Sequence, residues 1–252
     1  MGRFHMSHAS HSSHAAFIPA GRVTCRACWL TLCGLLHLFF AGSADGRSVI
    51  LPAQPQPFAA GGPRRVLLVH GIYNSAKSMR WLGRFLSERG WQVYAISLKP
   101  NDASVTFEAM ARQLDTFVAA TFPDGEKFDL VAYSMGGLVS RYYIQKLGGD
   151  KRVRRFVTLS TPNHGTVWAW LSGRAGVKEM RPGSEMLRDL NGDVSKLAPL
   201  NYTSIYTPFD LSIVPAVSSR MPVARNVVTF VPLHPLMVMM PAPIQAATRA
   251  LQ

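Results

Sequence analysis

Cysteine is missing from everything after residue 44, and that gap removes several chemistries at once. The chain has only three, Cys25, Cys28 and Cys33. The 208 residues after position 44 therefore hold no disulfide, no thiol nucleophile and no cysteine metal site, although export would permit disulfides. Histidine is nearly as scarce there: five of the eight lie in the first 44 residues, leaving His70, His164 and His234. No spaced cluster of His, Cys and carboxylates exists, so neither metal nor cofactor is expected. Acidic residues are few, 14 against 27 Lys and Arg, for a formal net charge of +13. The basic residues are scattered singly or in short groups (Arg64-Arg65, Lys151-Arg152, Arg154-Arg155). With no basic helix or aromatic-interleaved stripe, a nucleic-acid partner is not expected. Attraction to anionic lipid or cell-envelope surfaces fits the charge better.

The first 44 residues also lack any acid. They carry Arg3, Arg22 and Arg26, then an apolar run from Ala27 to Phe40, then Ala41-Gly42-Ser43-Ala44. A basic lead, a short apolar stretch and a small-residue exit describe a secretory signal peptide. An uncleaved membrane anchor is the alternative, but the run is short of the roughly 20 residues a bilayer span needs. The expected location is secreted or periplasmic. Residues 45–63, rich in Pro, Gly, Gln and Ala, read as a flexible arm. Residues 64–252 then form one domain, and a chain of this size buries roughly 70% of its unfolded surface. Without the three N-terminal arginines the net charge of residues 45–252 is about +10, from 24 basic and 14 acidic residues.

Within that domain strands and helices alternate. VLLVH (66–70) is a continuous apolar run of the kind that fills a buried parallel strand. Met79, Leu82, Phe85 and Leu86 share one face of a helix over 77–89, with Gly90 at its end. Strands follow at 91–98, 128–133 and 153–160, with helices at 105–121 and 135–147. Two late strands are expected near 203–207 and 226–231, and a final helix opened by Pro243. The pattern implies a mostly parallel sheet wrapped on both faces, an α/β fold.

Ala132-Tyr133-Ser134-Met135-Gly136-Gly137 falls between a predicted strand and a predicted helix, the setting of a nucleophile elbow. Small residues two before and two after the serine let neighbouring backbone approach. Serine is a weak nucleophile alone and needs a base and an oxyanion site. The Met135 amide, opening the helix, supplies half of that site. The Ile72 amide, after the His70-Gly71 turn, supplies the other half. An ordinary strand-to-helix turn with a chance serine is the competing reading, and the flanking elements count against it. An elbow fold orders its triad Ser, acid, His, and His234 is the histidine that lies late in the chain. Of the acids between, Asp150 sits in a glycine-flanked turn, and Glu179 to Asp193 read as a solvated helical face. Asp210, at the end of the strand-like YTSIYTPF, is placed to orient an imidazole, or else to cap the following turn.

These segments resemble the small class 2 triacylglycerol lipases of bacteria, including the compact Bacillus and Streptomyces enzymes. The matching stretches are VLLVHGIYNSAKSM, DLVAYSMGGLVSRYYI, VTLSTPNHGT, MRPGSEMLRDLN and FDLSIVPAVSS, in family order from about Val66 to His234. The resemblance implies an α/β-hydrolase fold with a minimal lid, Ser134 as nucleophile, Asp210 as acid, His234 as base, and the Ile72 and Met135 amides as the oxyanion hole. The Pro-Leu-His-Pro-Leu-Met segment departs from the family, many of whose members carry Gly or Asp before the histidine. The expected protein is thus a monomeric serine hydrolase cleaving the carboxylic esters of lipids. The alternatives are a short-chain carboxylesterase or an acyltransferase on the same residues, or a catalytically inactive lipid- or envelope-binding module. Trp168, Trp170, Leu171 and Met237 to Met240 crowd the expected site mouth, either as an acyl-chain or lipid-facing surface or as buried core.

Overall fold

A computed structural model describes residues 64–252; the expected signal peptide (1–44) and the arm (45–63) lie outside the described residues. Six parallel strands form one sheet: β1 (Arg65–Val69), β2 (Gln92–Ile96), β3 (Phe128–Tyr133), β4 (Val153–Leu159), β5 (Thr203–Tyr206) and β6 (Arg225–Val228). Their order in space is β2-β1-β3-β4-β5-β6. The helices are α1 (Arg80–Ser87), α2 (Phe107–Thr121), α3 (Met135–Lys146), α4 (Ala175–Glu179), α5 (Glu185–Gly192) and α6 (Pro241–Ala250).

The period-two geometry of a strand explains why both faces must be covered. In β1, Leu67 and Val69 enter one apolar cluster with Phe107, Met110 and Leu114 of α2 and Leu138 and Ile144 of α3. Val66 and Leu68 point the other way, into a cluster with Leu82 and Leu86 of α1 and Ile244 and Ala247 of α6. Every residue of β3 is buried, as a central parallel strand with helices on both sides requires. The α/β-hydrolase sheet expected from the sequence is the sheet observed.

Local departures have local causes. The helix expected over 77–89 is a 3-10 turn, Ala76–Met79, running into α1. The last helix begins at Pro241, two residues before the expected Pro243; proline is tolerated throughout a first turn, whose amides need no intrahelical partner. Glu179 is not part of a solvated face. Its carboxylate accepts from the Phe107 amide at 2.6 Å, holding the first turn of α2, and burial raises its pKa despite that bond. Residues 167–183, where the minimal lid implied by the resemblance would fall, hold a 3-10 turn, Val167–Leu171, and the single turn of α4.

Because all six strands run the same way, the loops leaving β1, β3, β4, β5 and β6 emerge along one edge. Ligands of open parallel sheets bind at that edge.

Candidate active site

Ser134 follows the last residue of β3 and precedes the first of α3. Its backbone, at φ 54° and ψ −126°, is in a region non-glycine residues rarely occupy. Strain of this kind persists only where the surroundings hold it. The Ser134 amide donates to Leu159 O of β4 at 2.8 Å, and the Thr161 hydroxyl donates to Ser134 O at 3.1 Å. Space is equally tight. A Cβ on Gly71 would lie 2.9 Å from Ser134 Cβ and 3.1 Å from the Tyr133 ring, and one on Gly136 would meet the Val69 carbonyl oxygen at 2.7 Å. The expected need for a small residue two after the serine is seen at Gly136, and Gly71, across from the serine, carries a further such need that the sequence reading did not name.

The structure brings Ser134, His234 and Asp210 together. His234 Nε2 lies 2.9 Å from Ser134 Oγ, and its Nδ1 lies 2.7 Å from Asp210 Oδ2. All three are buried, His234 the most exposed at 8%. Asp210 lies in the loop after β5; its Oδ1 accepts from the Ser212 and Ile213 amides, each at 2.9 Å. Burial works to raise the Asp210 pKa. The His234 charge and hydrogen bond, the Ile213 amide and the Ser160 hydroxyl outweigh it, so the carboxyl stays below its usual range. The carboxylate thus has one oxygen anchored by backbone and the other committed to imidazole. His234 opens a 3-10 turn, His234–Val238, and Pro235 takes a first-turn position that needs no amide donor. The Tyr133 ring, 4.9 Å away between centroids, packs beside the imidazole.

Met135 is the first residue of α3, so its amide has no carbonyl a turn earlier to bind. Ile72 sits in the turn after β1, which is fixed from several sides. Tyr73, at φ 57°, donates its amide to Asn101 O at 2.7 Å, and the Asn74 side chain donates to Ile72 O at 2.9 Å. His70 pins the same turn. Its Nδ1 lies 2.7 Å from Gly71 O, and its Nε2 receives the Leu98 amide at 2.9 Å. A carbonyl can only accept and an amide can only donate, so the ring must be neutral with its proton on Nδ1. Complete burial lowers the His70 pKa to about 4, although the Gly71 bond acts to raise it.

That shift predicts a pH effect on stability. The unfolded chain takes up a proton near 6.5 and the folded chain only near 4, so folding is disfavoured as pH falls through that window. About 3 kcal/mol present above pH 6.5 is expected to be lost by pH 4. Urea midpoints of wild type and His70→Asn across pH 4–7 measure it. A wild-type midpoint no more pH-dependent than the variant's contradicts the role given to His70.

His164 is exposed, its Nδ1 3.3 Å from Asn191 Nδ2. A feature the sequence reading missed lies nearby. Arg141 of α3 is fully buried, and its guanidinium is surrounded by Gln145 Oε1 (3.2 Å), Asn163 O and Oδ1 (3.4 and 3.3 Å), Leu190 O (2.8 Å) and Asn191 Oδ1 (3.0 Å). Burial lowers its pKa to about 10, which leaves it charged at neutral pH. It ties the helix that follows Ser134 to the β4 exit loop and to α5. Arg141→Ala leaves those acceptors unsatisfied in the interior and is expected to cost about 3 kcal/mol or more in urea unfolding. An unchanged midpoint would show that the network adds nothing to stability. Among the described residues, no group of three or more His, Cys, Asp or Glu side chains is placed to hold a metal ion.

Residues 65–207, more than half of the chain, match the palmitoyl protein thioesterase family. The chain belongs to that family. Ser134, Ile72 and Met135 fall inside the matched stretch; Asp210 and His234 lie beyond it. The lysosomal thioesterase PPT2 of Rattus norvegicus is 31% identical over 121 residues, 46% of this chain and 39% of that protein. The Homo sapiens protein of the same name is 30% identical over the same shares. The match thus spans about two-fifths of these relatives' length. Among solved structures, the mature lipase BlEst2 of Bacillus licheniformis has a TM-score of 0.63 at 19% identity, covering 83% of this chain and all of that one. Lipase B of Aspergillus fumigatus has a TM-score of 0.56 at 20% identity, over 75% of this chain and 50% of that one. At such identities the likeness is one of fold: an α/β hydrolase.

Proposed function

We propose that the protein is a serine hydrolase that cleaves fatty-acyl esters through Ser134, His234 and Asp210. One observation carries this reading: an unbroken chain of hydrogen-bonding distances, 2.9 and 2.7 Å, from a strained serine through an imidazole to a buried carboxylate. His234 removes the Ser134 proton as Oγ attacks the acyl carbonyl, and Asp210 holds the ring and stabilises its cation. The Met135 and Ile72 amides stabilise the oxyanion. His234 then protonates the departing group, leaving an acyl-enzyme, and water repeats the sequence to release the acid. The class 2 lipase resemblance favours an oxygen ester as substrate. Membership of the palmitoyl protein thioesterase family favours a thioester, and the same residues serve, with a thiol in place of the alcohol.

The test is hydrolysis of p-nitrophenyl esters from C2 to C16, and of a palmitoyl thioester, by the full chain beside Ser134→Ala. Activity at C10 and above that vanishes in the variant supports a fatty-acyl hydrolase, and the faster palmitoyl substrate identifies the leaving group. Activity confined to C2–C4 makes it a short-chain carboxylesterase. Transfer to an added alcohol in preference to water makes it an acyltransferase. A folded protein inert toward all of them returns it to the binding-module reading.

A further inference from the structure

Large apolar side chains are exposed at eleven described positions, and ten of them fall in three loop segments at the carboxyl edge of the sheet, 167–171, 209–217 and 228–233; Trp81 is the other. The three segments join into one face. The Trp168 indole donates to Leu211 O at 2.7 Å, the Val167 amide donates to Val214 O at 3.0 Å, and the Phe209 and Phe230 rings lie 6.2 Å apart. The face also surrounds the site. Phe209 and Leu211 flank Asp210, and Leu233 precedes His234. Trp170 is 60% exposed and Phe230 75%, far more than core packing allows. A contiguous apolar patch of this kind on a folded domain marks a contact surface.

Charge selects the occupant. The segments 160–183 and 207–235 carry Lys178, Arg181 and Arg220, besides Arg174, which is paired with Asp102, and Arg225, which opens β6 at the opposite edge of the sheet, but only two acids. Both acids are committed, Asp210 to His234 and Glu179 to the start of α2. The Arg181 guanidinium sits 4.6 Å above the Trp170 ring, so cation and aromatic are presented together. An aromatic patch with a basic surround matches an anionic bilayer, whose headgroups take the cations while the rings enter the interface. A second copy seated here would oppose positive charge to positive charge and cover the mouth of its own site.

We infer that this face docks the protein on anionic lipid bilayers with the Ser134 site turned toward the membrane. The inference deepens the fatty-acyl hydrolase reading and takes its purpose from it, but its test needs no turnover. Full-length Ser134→Ala, which cannot turn over vesicle lipid by that reading, is floated with vesicles of phosphatidylcholine alone or with phosphatidylglycerol. The partition coefficient is expected to be about tenfold or more higher on the anionic vesicles and to fall with added salt. Adding Trp170→Ser with Phe230→Ser lowers it by roughly tenfold or more. Lys178→Glu with Arg220→Glu does the same on anionic vesicles only. In the Ser134→Ala background each pair must keep that chain's thermal unfolding, and with Ser134 present each must keep C2-ester hydrolysis. Leu171→Ser replaces whichever aromatic change fails the unfolding check. All variants carry the same 1–44 segment, so a difference among them belongs to the face. Equal binding to both vesicle types, binding untouched by the face variants, or a dimer that the aromatic pair dissolves would each overturn the inference. Loss of the hydrolase reading with binding intact would leave the docking face standing.

Discussion

Ser134→Ala is expected to lower turnover of a cleaved ester by 10⁴- to 10⁶-fold with little change in KM or in the unfolding midpoint. The residual rate expected is that of the proposed oxyanion amides and of binding, which the substitution leaves alone. Stability should hold because the buried serine hydroxyl has the His234 ring, 2.9 Å away, as its hydrogen-bonding partner. Some relief of backbone strain is expected as well only with glycine, since alanine keeps the Cβ that makes φ 54° costly. Ser134→Gly should therefore be as inactive as Ser134→Ala and slightly more stable. Paired progress curves and urea unfolding check both statements. An alanine variant within tenfold of wild type would remove Ser134 from the chemistry.

Asp210→Asn is expected to cost on the order of 10⁴ in kcat with the fold intact. The argument is one of tautomers. An amide at 210 can turn its NH₂ toward His234 Nδ1, which then must accept; the proton moves to Nε2, where it faces Ser134 Oγ and blocks proton removal. The Ser212 and Ile213 amides hold the other oxygen at 2.9 Å, which fixes the amide oxygen there and directs the NH₂ at the ring. Asp210→Ala leaves those two buried amides unpaired and should lose stability as well as rate. A kcat loss in Asp210→Asn below tenfold would mean that the carboxylate does not set the state of His234. This substitution matters because Asp210 and His234 lie outside the stretch matched by the family.

How much was legible beforehand depends on how local each signal is. The sheet could be read because VLLV is a short continuous apolar run and FDLVAY is apolar at every position but Asp129, runs of strand length that suit a strand covered on both faces. Ser134 could be singled out because the elbow's demands fall on its immediate neighbours. His234 and Asp210 needed chain order as well, and the structure sets them 2.7 Å apart across 24 residues. Arg141 could not be read: its acceptors lie 22 to 50 residues away, apart from Gln145 one turn on. A lone arginine inside MGGLVSRYYIQKL was the available hint. Glu179 was misread for the same reason, since its partner Phe107 is 72 residues distant. The apolar cluster near the site divides. Met237 and Val238 are core, whereas Trp168, Trp170 and Leu171 are exposed; composition alone does not separate the two fates.

The most direct test of the account is the intact mass of the full chain after treatment with a fluorophosphonate, followed by peptide mapping. One adduct per chain, on Ser134 and absent from both Ser134→Ala and His234→Ala, is the predicted result. A folded protein that takes no adduct, or takes it on another residue, would contradict the claim that Ser134 is the nucleophile.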